Sequence, residues 1–253
     1  MTGFADPEVT IKTRDVKTLL DATGVTLGLG GITAATLRFQ QRADGSSYQS
    51  GSNHMTYTAT AGYLKPSRLS ADQDSRDGAE LEAMFFPLWD GSTKPLVVNV
   101  SQSLSVSPAF NQLYYLGPAY LNGSEIGGVV GVDVDFGIDY RVVRENGEAY
   151  ARKGVVAGAS PKISIRLLKA AYAATTALFG YALPGTLAVY FQKGVHGSDR
   201  VAAATAGHIK ITAASGDMTP SQIRVANEDD ATVTLEVLPT AALGYSTTIA
   251  LGS

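Results

Sequence analysis

The sequence predicts a mainly β protein made of two tandem β-sandwich or barrel domains, each with a short flanking α-helix, and three observations carry that prediction. The first is strict alternation. In "GVDVDFGIDYRVV", residues 131–143, Val132, Val134, Phe136, Ile138, Tyr140 and Val142 fall on one side of an extended chain. Asp133, Asp135 and Asp139 fall on the other, with Gly137 between two of them. An uninterrupted run of alternate apolar positions marks a half-buried strand, whose sheet-packing face is Val132, Val134, Phe136, Ile138 and Tyr140. The second observation is an internal echo, described below. The third is texture: 27 glycines, with many Thr, Ser and Val in short runs, favour strands joined by turns.

The echo divides the chain. "PEVTIK" at 7–12 matches "PKISIR" at 161–166, and "HMTYTATAGYLKPS" at 54–67 matches "HIKITAASGDMTPS" at 208–221, both at an offset of 154 residues. In the longer match His54/His208, Thr58/Thr212, Ala59/Ala213, Gly62/Gly216, Pro66/Pro220 and Ser67/Ser221 are identical. "RFQQ" at 38–41 and "YFQK" at 190–193 correspond at an offset of 152. Equal spacing between separate matches points to a duplicated domain, a repeat too long to be a solenoid unit. The expected domains are 1–152 and a more compact 153–253.

In chain order, a strand at 8–12 leads to "TRDVKTLLDATG", where Thr13 caps a helix that Gly24 ends. "TAATLRFQ" is a strand, residues 42–53 a polar loop, and the segment after it the His54 strand. Asp77 and Glu80 have capping-box spacing for a short helix ending near Pro87. "LVVNVSQSL" follows as a strand, and Gly123, Gly127 and Gly128 approach the alternating strand. "RKGVVAGAS" reads as a linker. The second copy repeats the order: strand "KISIRLL", helix "KAAYAATTALFG", strand "GTLAVYFQ", a polar loop at 194–207 and the His208 strand. A hairpin around "NEDD" and a last strand "STTIAL" finish it.

Composition and motifs exclude much. The charged fraction is 17% and the net charge −3, so no electrostatic grip on nucleic acid or anionic membrane is expected. Without cysteine there is neither a disulfide scaffold nor a thiolate site. From Ala170 to Phe191 the chain is uncharged over about the length of a bilayer span, but Gly180 and Pro184–Gly185 break it, so no membrane contact is expected. The aspartates do not follow a calcium loop: counting from Asp133, Gly137 stands at the fifth position and Arg144 at the twelfth. "GLGGIT" at 28–33 lacks the third glycine of a dinucleotide fingerprint, and no nucleophile elbow is present. His54 and His208 occupy equivalent places in the two copies, which favours a repeated structural role over a ligand set. Trp89 with Phe85 and Phe86 reads as a packed cluster. No cofactor, metal or enzymatic activity is expected.

Several stretches together resemble a family. "PEVTIKTRDVKTLL", "FFPLWDGSTKPLVV" and "VDFGIDYRVVRENGEAYARKGVVAGASPKISI" are similar in texture to the major tail, or tail tube, proteins of long-tailed bacteriophages. The resemblance implies tube-type sandwich domains whose sheets join between subunits into a ring, with rings stacked into a tube. A duplicated chain would fit a trimer imitating six-fold symmetry. It further implies a virion protein of the tail, assembled in the host cytoplasm, that contacts itself and other tail proteins while phage DNA passes without specific binding. Asp133, Asp135 and Asp139 would then face the lumen and repel phosphates. Asp44, Tyr48, His196, Asp199 and Arg200, on the two polar loops, would touch the next ring. Alternatives are another phage ring protein (distal tail, terminator or head decoration) and a carbohydrate-binding β module using Trp89.

Overall fold

The computed structural model describes residues 6–23, 34–40, 51–104, 112–168, 182–195, 200–224 and 232–251. The elements run β1 (Val9–Thr13), α1 (Val16–Thr23), β2 (Ala35–Phe39), β3 (Gly51–Ala59), β4 (Ala61–Asp72), β5 (Glu80–Leu88), β6 (Val97–Leu104), β7 (Gln112–Leu121), β8 (Ser124–Ile126) and β9 (Val129–Asp135). After these come β10 (Ile138–Val143), β11 (Lys153–Ala159), β12 (Lys162–Leu168), β13 (Leu187–Val195), β14 (His208–Ala213), β15 (Gly216–Arg224), β16 (Thr232–Pro239) and β17 (Gly244–Ile249). The mainly β class expected from the alternation is what forms.

A seven-stranded sheet has the order β1-β5-β4-β9-β12-β16-β15. A five-stranded sheet, β17-β14-β13-β7-β8, and a three-stranded sheet, β2-β3-β6, accompany it, with a separate β10–β11 pair. The two ends of the large sheet share one order and one register. Val9, Ile11 and Thr13 of β1 lie opposite Phe85, Ala83 and Leu81 of β5, as Ile163, Ile165 and Leu167 of β12 lie opposite Val237, Leu235 and Val233 of β16. Gly62, Leu64 and Pro66 of β4 face Pro87, Phe85 and Ala83, as Gly216, Met218 and Pro220 of β15 face Pro239, Val237 and Leu235. Both pairings slip at the same place, between Pro66 and Arg68 and between Pro220 and Gln222. Proline has no N–H to give to a ladder, so a bulge is where a strand tolerates it. The smaller sheets agree: Ala35, Leu37 and Phe39 face Ala59, Tyr57 and Met55, as Leu187, Val189 and Phe191 face Ala213, Ile211 and Ile209.

Between these ends lies β9, antiparallel to β4 on one side and to β12 on the other. Beneath it a single core draws on both ends of the sheet: Leu69 and Leu81, then Val132 and Val134, then Ile163 and Leu235, against Val189, Phe191 and Ile211 of the facing sheet. Each such side chain, fully buried, contributes roughly 1.5–3 kcal/mol of transfer free energy. A smaller cluster, Ala59, Leu64, Ala83 and Phe85, lies beside the three-stranded sheet.

Four local readings need correction. Residues 80–88 form strand β5 where a capped helix was expected. Leu81, Ala83 and Phe85 at period two are buried, and that burial outweighs a chance capping-box spacing. Asp77 instead bonds Arg14, at 2.9 Å. Helix α1 is capped by Asp15, whose carboxylate takes the Thr18 N–H, while Thr13 ends β1 and its hydroxyl accepts the Asp15 N–H at 3.0 Å. The stretch read as a linker contains β11, which pairs with β10; Gly154 leaves room for the Tyr140 phenol across it. The alternating strand also divides. Gly137 takes φ +58° and sits against the Ser160 carbonyl, where a side chain would collide. The chain turns there from β9 into β10. Gly24, the expected helix at 169–180 and the expected "NEDD" turn lie outside the described residues; β15 and β16, which precede and follow the last of these, pair antiparallel.

Alternation of burial survives the break, since Val132, Val134, Phe136 and Ile138 are all buried. Phe136→Ala is therefore expected to cost about 3–5 kcal/mol, and Asp139→Ala no more than about 1 kcal/mol, by urea unfolding followed by circular dichroism. Equal costs would contradict the assignment.

Tyr140, the last residue of that face, is half-buried and stacks on Tyr63 with centroids 3.9 Å apart. Burial, and then the Tyr63 phenolate, push its pKa up to about 12. Burial raises Tyr114 to about 12 as well. In the unfolded chain these phenols ionise near 10.0, so their contribution is complete below that pH and is lost as pH rises toward 12. Stability should fall over that window, less steeply in Tyr140→Phe; denaturant midpoints at stepped alkaline pH would check it, and identical slopes would refute it.

Candidate functional site

The outward face of the seven-stranded sheet carries the residues that the alternation singled out. Asp133 and Asp135 stand on it, on β9, as their alternation with Val132 and Val134 requires. Asp139 is on β10, exposed, and pairs with Arg141 at 3.0 Å. Thus two of the three aspartates share the sheet face, and the third belongs to the hairpin.

Register sets what surrounds them. Reading across the strands at one level, Lys12 of β1 lies opposite Glu82 of β5, Glu82 opposite Arg68 of β4, Arg68 opposite Asp135, and Asp135 opposite Lys162 of β12. Charge alternates at every step across five strands. Lys162 continues the series to Glu236 of β16 at 3.4 Å, and Lys12 meets Glu82 at 2.9 Å. One level along, Asp133 lies between Ser70 and Ser164. Arg68 reaches diagonally to grip both oxygens of Asp133, and this carboxylate raises the guanidinium pKa. Asp135 accepts the Gly137 N–H at 2.9 Å, which ties the acid to the turn that ends β9.

The third level has Asp72, Gly131 and Arg166 in line. Arg166 crosses β9 to pair with Asp72, and it can cross because Gly131 has no side chain; a methyl group there would collide with the guanidinium. A shallow depression lined by Arg68, Asp133, Asp135, Lys162, Ser164 and Arg166 marks the centre of this face. The arrangement is a charge-compensated surface, and it corrects the expectation of an acidic one that repels phosphates. One strand alone shows only the acids, whereas the cations arrive from β4 and β12. Their signal was present, because "RLSAD" and "KISIRL" alternate as strictly as "VDVDF"; what the sequence did not show was which strands lie side by side.

The other predicted residues separate. His54 and His208 are both buried, on β3 and β14. At His208, Nδ1 accepts the Lys193 N–H at 2.9 Å and Nε2 faces the Ala202 carbonyl at 3.2 Å, which sets Nε2 as the protonated nitrogen. Between them these bonds hold the end of the second polar loop against β13. Arg200 donates to the Leu116 carbonyl at 3.2 Å and lies over the Tyr115 ring. Asp44, Tyr48, His196 and Asp199 lie outside the described residues. Arg152 lies over the Trp89 ring, 5.4 Å from its centroid. Among the described residues no three His, Asp or Glu side chains are grouped as metal ligands, and no helix is long and apolar enough to cross a membrane. No family model matches the chain, and no curated protein matches it.

The crossing of β9 by Arg166 gives a direct check. Gly131→Ala should displace Arg166 from Asp72 and cost no more than about 1 kcal/mol, the range of an exposed ion pair. In an Arg166→Ala background the same change should cost measurably less, because the colliding group is gone. Additive effects in this double-mutant cycle, read by urea unfolding, would refute the crossing.

Proposed function

We propose that the chain is a virion structural protein, the subunit of the stacked rings of a bacteriophage tail tube that conducts DNA. The single observation behind this is the seven-stranded sheet. Two stretches with the same strand order and register, β1-β5-β4 and β12-β16-β15, are joined edge to edge through β9. We read them as copies of one duplicated module. A module that adds to another through its sheet edge inside one chain can add in the same sense between chains, and such head-to-tail contacts close a ring when the rotation permits.

The ends of the large sheet supply the means. Among the described residues β1 and β15 each pair on one side only. Unpaired edge strands recruit further strands unless something protects them. Three chains of two modules would make a ring with six-fold pseudo-symmetry. In this reading the compensated face, with Asp133 and Asp135 at its centre, lines the channel. Arg68, Lys162 and Arg166 are engaged with carboxylates of the same sheet, so among the described residues this face offers no free row of cations to the phosphate backbone. DNA would slide past without being held. Other tail proteins are the further partners, and the virion tail, assembled in the host cytoplasm, is the location.

Negative-stain microscopy of the purified chain, concentrated and aged, tests this. Long tubes with an open channel and three-fold rings are expected. Separate rings that never stack would favour a distal-tail, terminator or head-decoration role, and isolated globules would refute an assembly role.

A further inference from the structure

The repeat makes the two modules comparable residue by residue, and one difference stands out in their smaller sheets. In the second module Val189, Phe191 and Ile211 are completely buried. Their register counterparts in the first module are Leu37, Phe39 and Tyr57. Phe39 is 53% exposed, Leu37 and Tyr57 are only partly covered, and Val98 on the neighbouring β6 is 51% exposed. Phe39 and Tyr57 meet edge to face at 5.3 Å. The sequences are matched in apolar character, so the difference lies in what covers them.

In the second module these side chains lie in the common core against the seven-stranded sheet, and beside them runs β7. It pairs antiparallel along the outer edge of β13, from Leu187 opposite Leu121 to Val195 opposite Gln112, and buries Tyr114, Leu116, Ala119 and Leu121. In the first module the equivalent strand is β2, and among the described residues β2 pairs on one side only, with β3. Large apolar side chains left in water beside an open strand edge are the features of a strand-accepting groove.

We infer that the outer edge of β2, with Leu37, Phe39 and Tyr57 beside it, accepts an extended strand from a second copy of this chain, in the place that β7 holds against β13. The repeat identifies the occupant. At the second module β12 and β13 are covered together, by β9 and β7, which arrive on one continuous stretch from the direction of the first module. The counterparts β1 and β2 therefore lie at one end of the first module, and β1 is the same open end through which chains join in the function proposed above. This inference rests on that reading for its partner. A copy docked at β1 is placed to cover β2 as well.

Hydrogen exchange of the full chain, dispersed and assembled, tests it together with Phe39→Asp. The outward amides of β2 should exchange more slowly once the chain assembles. Phe39→Asp, at an exposed site, should keep the circular dichroism of the parent and raise the concentration for half-assembly about tenfold or more, the loss of one central apolar anchor. Unchanged β2 exchange on assembly, wild-type assembly by Phe39→Asp, or a chain that stays monomeric would each overturn the inference. If the substitution unfolds the chain, exchange in the parent protein decides. Tubes with unprotected β2 would sink this inference and leave the tube reading standing; small closed oligomers with protected β2 would do the reverse.

Discussion

The backbone ladder of β9 is the constraint on which the remaining features depend. Its hydrogen bonds to β4 and to β12 turn two three-stranded ends into one sheet, and its inward valines, Val132 and Val134, lie in the middle of the common core. Every unpaired backbone group in a buried strand carries a desolvation cost of about 1–3 kcal/mol. A strand paired on both sides avoids that cost along its whole length. Because side chains alternate at period two, the same pairing fixes the outward residues: once Val132 and Val134 point in, Asp133 and Asp135 must point out, into register with Arg68 and Lys162.

From that register follows the character of the outward face. Opposite charges directly across neighbouring strands stabilise by a few tenths of a kcal/mol up to about 1 kcal/mol each, and like charges would cost as much. The alternating series from Lys12 to Glu236 is thus a modest stabilising feature, but it also specifies pairing, since a slip of one residue would bury carboxylates and expose valines. Gly131 shows how closely backbone and charge are matched. The one residue without a side chain on that line of β9 is the one over which Arg166 passes.

Much of this was legible in the chain itself. Period-two runs marked β9, β12 and β16, and Val9 of "PEVTIK" and Ile163 of "PKISIR", 154 residues apart, each face a large apolar residue in the ladder, Phe85 and Val237. What could not be read was adjacency. The cations around Asp133 are 65 and about 30 residues away along the chain, and strand order depends on long-range pairing that no local pattern encodes. Local signals misled where two of them competed: Asp77 and Glu80 imitate a helix start, yet Leu81, Ala83 and Phe85 decide for a strand because they gain more by burial. Gly137 was visible as a glycine in a strand, a sign of a bend. Its left-handed φ, which sends Asp139 away from the other two aspartates, needed the structure.

Native-state hydrogen exchange across increasing denaturant tests the central claim most directly. If β9 joins both ends of the sheet into one unit, the inward-bonded amides of β4, β9 and β12 will share a single opening free energy equal to that of global unfolding. Should β12 and β16 open at a distinctly lower free energy than β4 and β5, the two ends would be independent units, and the continuous sheet would lose its place as the basis of the structure.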